Sequence, residues 1–419
     1  MTARREARVR MYNVGFGDCF LLTWWPGAER AVNVLIDCGS HSHGPGPRPL
    51  EEVVAQILED ARDERDGTPR LDVVIATHRH QDHVSGFASE LWAEVEVGEV
   101  WMPWTEHPTD PEARRIRETQ SRTAQRLQAQ ASALAAADPL RDSLLALSGN
   151  SLTNARAMET LHHGFLGNPK RRFLPSAKRQ GRRTLAVDRL PGAVVHVLGP
   201  SRDPEVIRDM DPPAGRSYLQ MTEAQAARQN EPWPPFRPGW KVIAKEMAND
   251  AATAHLVPAR ETDLRTIRNY SRQDSGEALA VAVQLEKAVN GTSLVLVFEL
   301  GRSCLLFSGD AQWGTWRAAL GDLEWRDLLA RATFCKVGHH GSHNATPKEL
   351  IENVLADGFA AMVSTRPVSN WPDIPRAPLL EALARKTGKR VVRSDKPPRR
   401  LPAGFERARD LYIDFKTPL

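Results

Sequence analysis

Apolar and polar positions change their rhythm several times along the chain. "ARVRMYNV" (7–14) alternates, "GFGD" turns, "CFLLTWW" (19–25) continues, and "AVNVLIDCG" (31–39) is a β-branched run that stops at glycine. "PLEEVVAQILEDARDE" (49–64) spaces its apolar residues three and four apart, as a helix does, and "RLDVVI" (70–75) reads as a buried strand. "EVGEVWMPW" (96–104) is a further strand. From Pro108 to about Thr153 Ala, Arg, Gln, Leu and Glu dominate, which predicts helix. A basic loop (168–183) and the strand "GAVVHVLGP" (192–200) follow, then a stretch from Arg202 to about Gly276 with little periodicity. Strands are expected again at "EALAVAVQL" (277–285), "TSLVLVFEL" (292–300), "CLLFSGD" (304–310), "ATFCKVGHH" (332–340) and "GFAAMVS" (358–364). A helix at "APLLEALARKTG" and terminal strands at "KRVVRS" and "DLYIDF" complete the pattern. Strands at both ends, helices among them and a helical insertion between predict an α/β protein built as a two-sheet sandwich flanked by helices. The boundaries expected are 1–104 and 276–419 for its two halves and 105–275 for the helical and basic insertion.

Composition changes this picture little. An apolar share of 41% over 419 residues supports a real core, and no apolar run approaches a membrane span. The N-terminus passes from charges into strand-like sequence without an apolar signal core, so a cytoplasmic location is expected, with no membrane partner. Cys19, Cys38, Cys304 and Cys335 each sit in or beside an apolar run without zinc-knuckle spacing, and read as buried reduced thiols. A formal charge of +4 says little about partners.

The chemistry is concentrated in "ATHRHQDHVSGF" (76–87), directly after the strand "RLDVVI". His78 and His80 project the same way from an extended segment, and Asp82 and His83 follow where a helix begins, so one loop can serve two metal pockets. Imidazole and carboxylate donors suit zinc, manganese or iron better than magnesium or calcium. Two later stretches repeat the device of a buried strand ending in ligands. "CLLFSGDAQ" presents Asp310, and "CKVGHHGSHNAT" presents His339 and His340.

The set "VGFGD", "LIDCG", "THRHQDHVSG", "LLFSGD" and "KVGHHGS" resembles the metallo-β-lactamase superfamily. Within it the pattern is most similar to the metallohydrolase domain of ComEC-type DNA-uptake proteins, their stand-alone relatives and the phosphorylcholine esterases. The resemblance covers roughly residues 8–104 and 276–417. It implies an αββα sandwich with a dinuclear site, Zn2+ or Mn2+, at its edge: His78 and His80 on one metal, Asp82 and His83 on the other, and Asp310 bridging. One histidine of "HHGS" would complete the second pocket. The reading leans to His339, leaving His340 near the substrate, but both stay open. Asp37 would brace the ligand loop. Many superfamily members add a histidine between the first motif and the bridging aspartate. The candidates here are His162, His163, His196 and His255, none in a ligand-like context; His196 reads as a core or cross-strand residue and His162–His163 as helix-end or surface residues.

The implied reaction is hydrolysis by a metal-bridging hydroxide, with Asp82 as proton acceptor and His340 or Lys336 as electrostatic helper. Seven cations and no acid in 168–183 (Lys170, Arg171, Arg172, Lys178, Arg179, Arg182 and Arg183), with Phe173 among them, match a phosphate backbone. The leading expectation is therefore a nuclease or phosphodiesterase acting on DNA or RNA. The alternatives are a hydrolase of small esters such as phosphocholine, lactones or β-lactams, and a non-catalytic sensor. Helices over 108–153 and the basic loop would gate the site, making a regulatory protein or a protease a second expected partner, and a gated nuclease fits antiviral defence.

Overall fold

The computed structural model describes residues 6–27, 30–134, 138–152, 154–177, 184–185, 187–218, 275–369, 371–408 and 410–419. Its strands, numbered along the chain, are β1 (Glu6–Tyr12), β2 (Cys19–Trp24), β3 (Val32–Cys38), β4 (Arg70–Ile75), β5 (Glu96–Pro103), β6 (Lys170–Leu174), β7 (Thr184–Leu185) and β8 (Ala193–Gly199). The second half adds β9 (Val295–Leu300), β10 (Ser303–Phe307), β11 (Phe334–Lys336), β12 (Ala360–Val363), β13 (Val391–Arg393), β14 (Phe405–Ala408) and β15 (Tyr412–Pro418). They form two sheets, ordered β14-β15-β1-β2-β3-β4-β5-β6 and β13-β12-β11-β10-β9-β8-β7.

The period-two pattern decides which layer each residue enters. Val32, Val34 and Ile36 of β3 and Val73 and Ile75 of β4 meet Leu296, Phe298, Leu305 and Phe307 in the core between the sheets. Leu35 and Val74 turn outward onto Val53, Val54 and Ile57 of the helix Leu50–Asp60. The outer face of the second sheet is covered by residues of the helices Trp313–Gly321, Leu323–Ala330 and Ala377–Lys386. The layers are helix, sheet, sheet, helix, as expected. β3 through β6 run parallel, as do β10 through β13. The strand ends of each parallel half therefore open on one edge, the usual place for a ligand in such sheets. β1 is closed on its outer side by β15, with Arg10 clamping Asp414 through two hydrogen bonds of 2.7 and 2.8 Å across 404 residues.

One strand expectation is corrected. "EALAVAVQL" lies in a helix, Ser275–Asn290. Its Ala-Val alternation imitates a strand, but Ala282, Leu285 and Val289 are the buried positions, spaced three and four apart. One compact unit covers residues 1–218 and 282–419; of the other, 219–281, only 275–281 are described. Strands β6 and β8 fall within the segment expected as insertion and join the two sheets. Within that segment Asp110 caps the helix Pro111–Ala133, accepting from the amides of Glu112 and Ala113, and this helix packs on Pro139–Leu152. All four cysteines are buried and free. No described helix is long and apolar enough to cross a membrane.

Candidate metal centre

Four of the parallel strands deliver polar side chains at or just beyond their ends. β3 carries Asp37 next to its last residue, β4 runs into Thr77–His83, β10 into Asp310, and β11 into His339 and His340. Two of these loops lie backbone to backbone at Gly39, where a Cβ would fall 2.5 Å from the amide nitrogen of His83, so glycine alone fits. Asp37, His339 and His340 hold left-handed conformations (φ 57°, 46° and 53°), a backbone state uncommon outside glycine that concentrates at functional positions.

Asp82, His83, Asp310 and His340, all buried, each place one donor atom within 4.8 Å of the others. His83 Nε2 stands 3.1 Å from Asp310 Oδ2, and His340 Nε2 stands 3.0 Å from Asp82 Oδ2. Their other ring nitrogens are anchored. His83 Nδ1 lies 2.8 Å from Asp37 Oδ2, and His340 Nδ1 donates to the Ser364 carbonyl at 2.9 Å. This is the outer-shell arrangement that fixes a ligating imidazole. Asp37 also accepts from the Thr77 amide and hydroxyl, both at 2.7 Å, and so holds the start of the loop. His340, rather than the preferred His339, meets Asp82, because Ser364 orients its ring. His339 lies beside it, its amide donating to Asp310 Oδ1 at 2.9 Å.

His78 and His80 form a second group, with His78 Nε2 3.1 Å from His80 Nδ1. Asn290 supplies their neighbour. Its Oδ1 lies 2.8 Å from His80 Nδ1 and its Nδ2 3.4 Å from His339 Nε2. None of the four histidines weighed for the missing ligand joins this group among the described residues. His196 pairs across strands with Glu299 at 2.5 Å, His162 and His163 line a cavity with Arg79 and Glu106, and His255 lies outside the described residues.

Electrostatics fit a cation. Asp18, Asp37, Asp82 and Asp310 are four buried carboxylates, and Lys336 is the buried ammonium among them. Burial alone would raise Asp82 and Asp310, but His83 and His340 together outweigh it at Asp82, and His83, Lys336 and His339 together at Asp310, so both carboxyls sit well below the usual range. Burial would depress His83, yet Asp310, Asp37 and Asp82 hold it well above its ordinary value, so a proton occupies the direction a cation would take. Burial pushes His80 down to about 4, keeping it a neutral donor. Asp82 Oδ1 and His80 Nε2 are buried without hydrogen-bond partners among the described residues. Uncompensated carboxylates and orphaned donors of this kind are what divalent ions satisfy.

Lys336 is less available than expected. Its ammonium is spent on Asp18, on the Gly309 carbonyl at 3.0 Å and on Asp310 Oδ1 at 3.2 Å, so it neutralises charge behind the site. Of the basic residues, Arg172 clasps Glu99 through two hydrogen bonds and Arg171 bonds Asn168 and two carbonyls. Lys170 is exposed at the start of β6; Lys178, Arg179, Arg182 and Arg183 lie outside the described residues.

Sequence reasoning missed Asp18, Asn290, Glu286 and Asn150. Asp18 closes the quoted "VGFGD" and so carried a signal; the others lie on helices with no motif around them. Asn150 accepts from the Gln81 amide at 2.8 Å and donates to both oxygens of Glu286 at 3.4 Å. Burial, reinforced by Asp82 and Asp310, pushes Glu286 up to about 8. A carboxyl raised on folding lends stability below its unfolded range that is lost as pH climbs toward 8. In metal-free protein Glu286→Gln should therefore raise the melting temperature at pH 8 and have little effect near pH 4.5. An equal shift at both pH values in calorimetry would contradict this.

The family model described as the metallo-beta-lactamase superfamily matches residues 12–212. The match runs through residues 105–212, which include β6 and β8. None of the curated proteins compared with the chain matches it.

Proposed function

We propose that this chain, whose residues 12–212 match the family model of the metallo-beta-lactamase superfamily, is a dinuclear-metal-dependent phosphodiesterase or nuclease acting on DNA or RNA. The observation that carries the hydrolytic part is the buried group Asp82, His83, Asp310 and His340, drawn from segments more than two hundred residues apart. Two divalent ions, zinc or manganese, held here and by His78 and His80 would acidify water and polarise the oxygens of the scissile ester. The protein's own part is to fix the donors. Asp37 and Ser364 orient the rings of His83 and His340, and Lys336 offsets the charge of Asp310.

A polyanionic substrate is supported by position and charge. The chain leaves β6 at Leu174 on the same edge as the ligand loops, and the basic residues 178–183 follow directly. Beside it lies a cavity of about 390 Å³ lined by Arg171, Arg172, Arg202, Asp110, His107 and Phe173, in which Arg202 is paired with Asp110 and Arg172 with Glu99. The likeness to DNA-uptake metallohydrolases points the same way. Purified chain loaded with manganese or zinc should cleave plasmid, single-stranded DNA or RNA, and His80→Ala should abolish cleavage. Charge reversal at Lys178, Arg179, Arg182 and Arg183 should weaken it in a salt-dependent manner. Turnover of chromogenic small esters, indifferent to that reversal and without nucleic-acid cleavage, would move the protein to the small-ester class. Through Asn150 and Asn154, whose amide reaches the Arg79 carbonyl at 2.6 Å, the helical segment is tied to the metal loop, so nicking it by limited proteolysis should alter activity if it gates the site.

A further inference from the structure

His41 lies in "CGSHSHG", three residues beyond β3, and takes no part in the donor groups described above. It is 1% exposed. Its segment is pressed against the metal loop. Gly39 abuts the backbone of Asp82 and His83, the Ser42 amide donates to Gln81 Oε1 at 3.2 Å, and the His41 amide donates to the Phe16 carbonyl at 2.7 Å. The His41 ring stands perpendicular to Trp371 at 5.2 Å and edge-on to Phe16 at 6.2 Å; Phe16 in turn lies 4.1 Å from the ring of His340.

The tautomer of this ring is determined. The backbone N–H of His43 donates to His41 Nδ1 at 3.1 Å, so Nδ1 carries no proton and the neutral ring bears its proton on Nε2. Burial keeps the ring neutral, against the pull of Asp82. Nε2 is buried and has no partner among the described residues. A buried N–H left unpaired is unfavourable, and its persistence beside a reaction centre calls for a ligand that accepts from it.

We propose that His41 binds substrate, its Nε2–H donating to a non-bridging phosphoryl oxygen of the ester held at the metal centre, in a subsite walled by Trp371. This rests on the phosphodiester reading above and adds a residue to it. A fixed donor aimed at an oxygen that gains charge as the reaction proceeds favours the transition state over the ground state, and costs no reorganisation.

The test uses the full chain loaded with zinc and orthophosphate as probe, with calorimetry for affinity, metal analysis and melting temperature for integrity, and 15N spectra of the His41 ring. His41→Phe keeps the ring packing without the donor, and His41→Gln restores a donor. His41→Phe should weaken orthophosphate binding by ~10–100-fold, the loss expected for a hydrogen bond to a charged group. It should keep its zinc and its melting temperature, and His41→Gln should recover part of the affinity. In the wild-type chain the Nε2–H resonance should be present and shift on adding orthophosphate. Wild-type affinity in His41→Phe, or loss of zinc in either variant, overturns the role of His41 while leaving the hydrolase intact. A wild-type chain that neither binds orthophosphate nor cleaves nucleic acid overturns the phosphodiester reading itself, and His41 with it.

Discussion

Asp310→Asn will strip the centre of metal and of turnover while leaving the fold standing. The aspartate serves three neighbours. Oδ2 faces His83 Nε2 at 3.1 Å, and Oδ1 accepts from the His339 amide at 2.9 Å and from Lys336 at 3.2 Å. Asparagine fills the same space and can still accept from the amide and the ammonium, so the loop after β10 keeps its place. Its amide group then confronts His83, and the carboxylate charge that would be shared between cations is gone. The loss of activity should exceed the ~10–100-fold typical of residues that only orient ligands. Metal analysis beside turnover decides the matter. Full occupancy and activity in Asp310→Asn would reduce Asp310 to a brace for His83 and would falsify the bridging role.

Lys336→Met will act in the opposite sense, on stability first. Lys336 is 2% exposed and Asp18 is 1% exposed, and the ammonium lies against the Asp18 carboxylate, so it is that carboxylate's compensation. Removing one member of such a buried pair leaves a bare charge and costs ~3–5 kcal/mol. Asp18→Asn combined with Lys336→Met should recover much of that loss, since neither charge then remains unpaired. Urea denaturation of the single and double variants in metal-free protein measures this coupling. A single-variant loss below ~1 kcal/mol, the scale of an exposed pair, would show that solvent reaches the site.

The legible part of this protein is what its chain writes contiguously. His78, His80, Asp82 and His83 share six positions, and the β-branched runs of β3 and β4 announce strands buried on both faces. Asp310 and the histidine pair were found because each follows a buried strand, the same device used earlier in the chain. The choice between His339 and His340 was not legible, since it depends on a carbonyl supplied by Ser364, the residue just past β12. Asn290 and Glu286 were hidden for a related reason. They sit one helical turn apart just beyond a segment, 277–285, whose Ala-Val alternation reads as strand, and only because the helix continues through it do they reach the centre together. Asp18 was quoted within a motif yet received no role, because its partner Lys336 lies more than three hundred residues away.

The clasp between β1 and β15 has a bearing on biosynthesis. As the polypeptide leaves the ribosome, β1 emerges with an apolar, hydrogen-bond-hungry border that its mate cannot cover until some four hundred further residues have been translated. For most of that interval the early histidines also lack Asp310 and His340, so a nascent chain shorter than 340 residues has no complete cage with which to capture an ion. Holdase chaperones that shelter β1 during elongation should therefore raise the soluble yield, and ion uptake should trail translation.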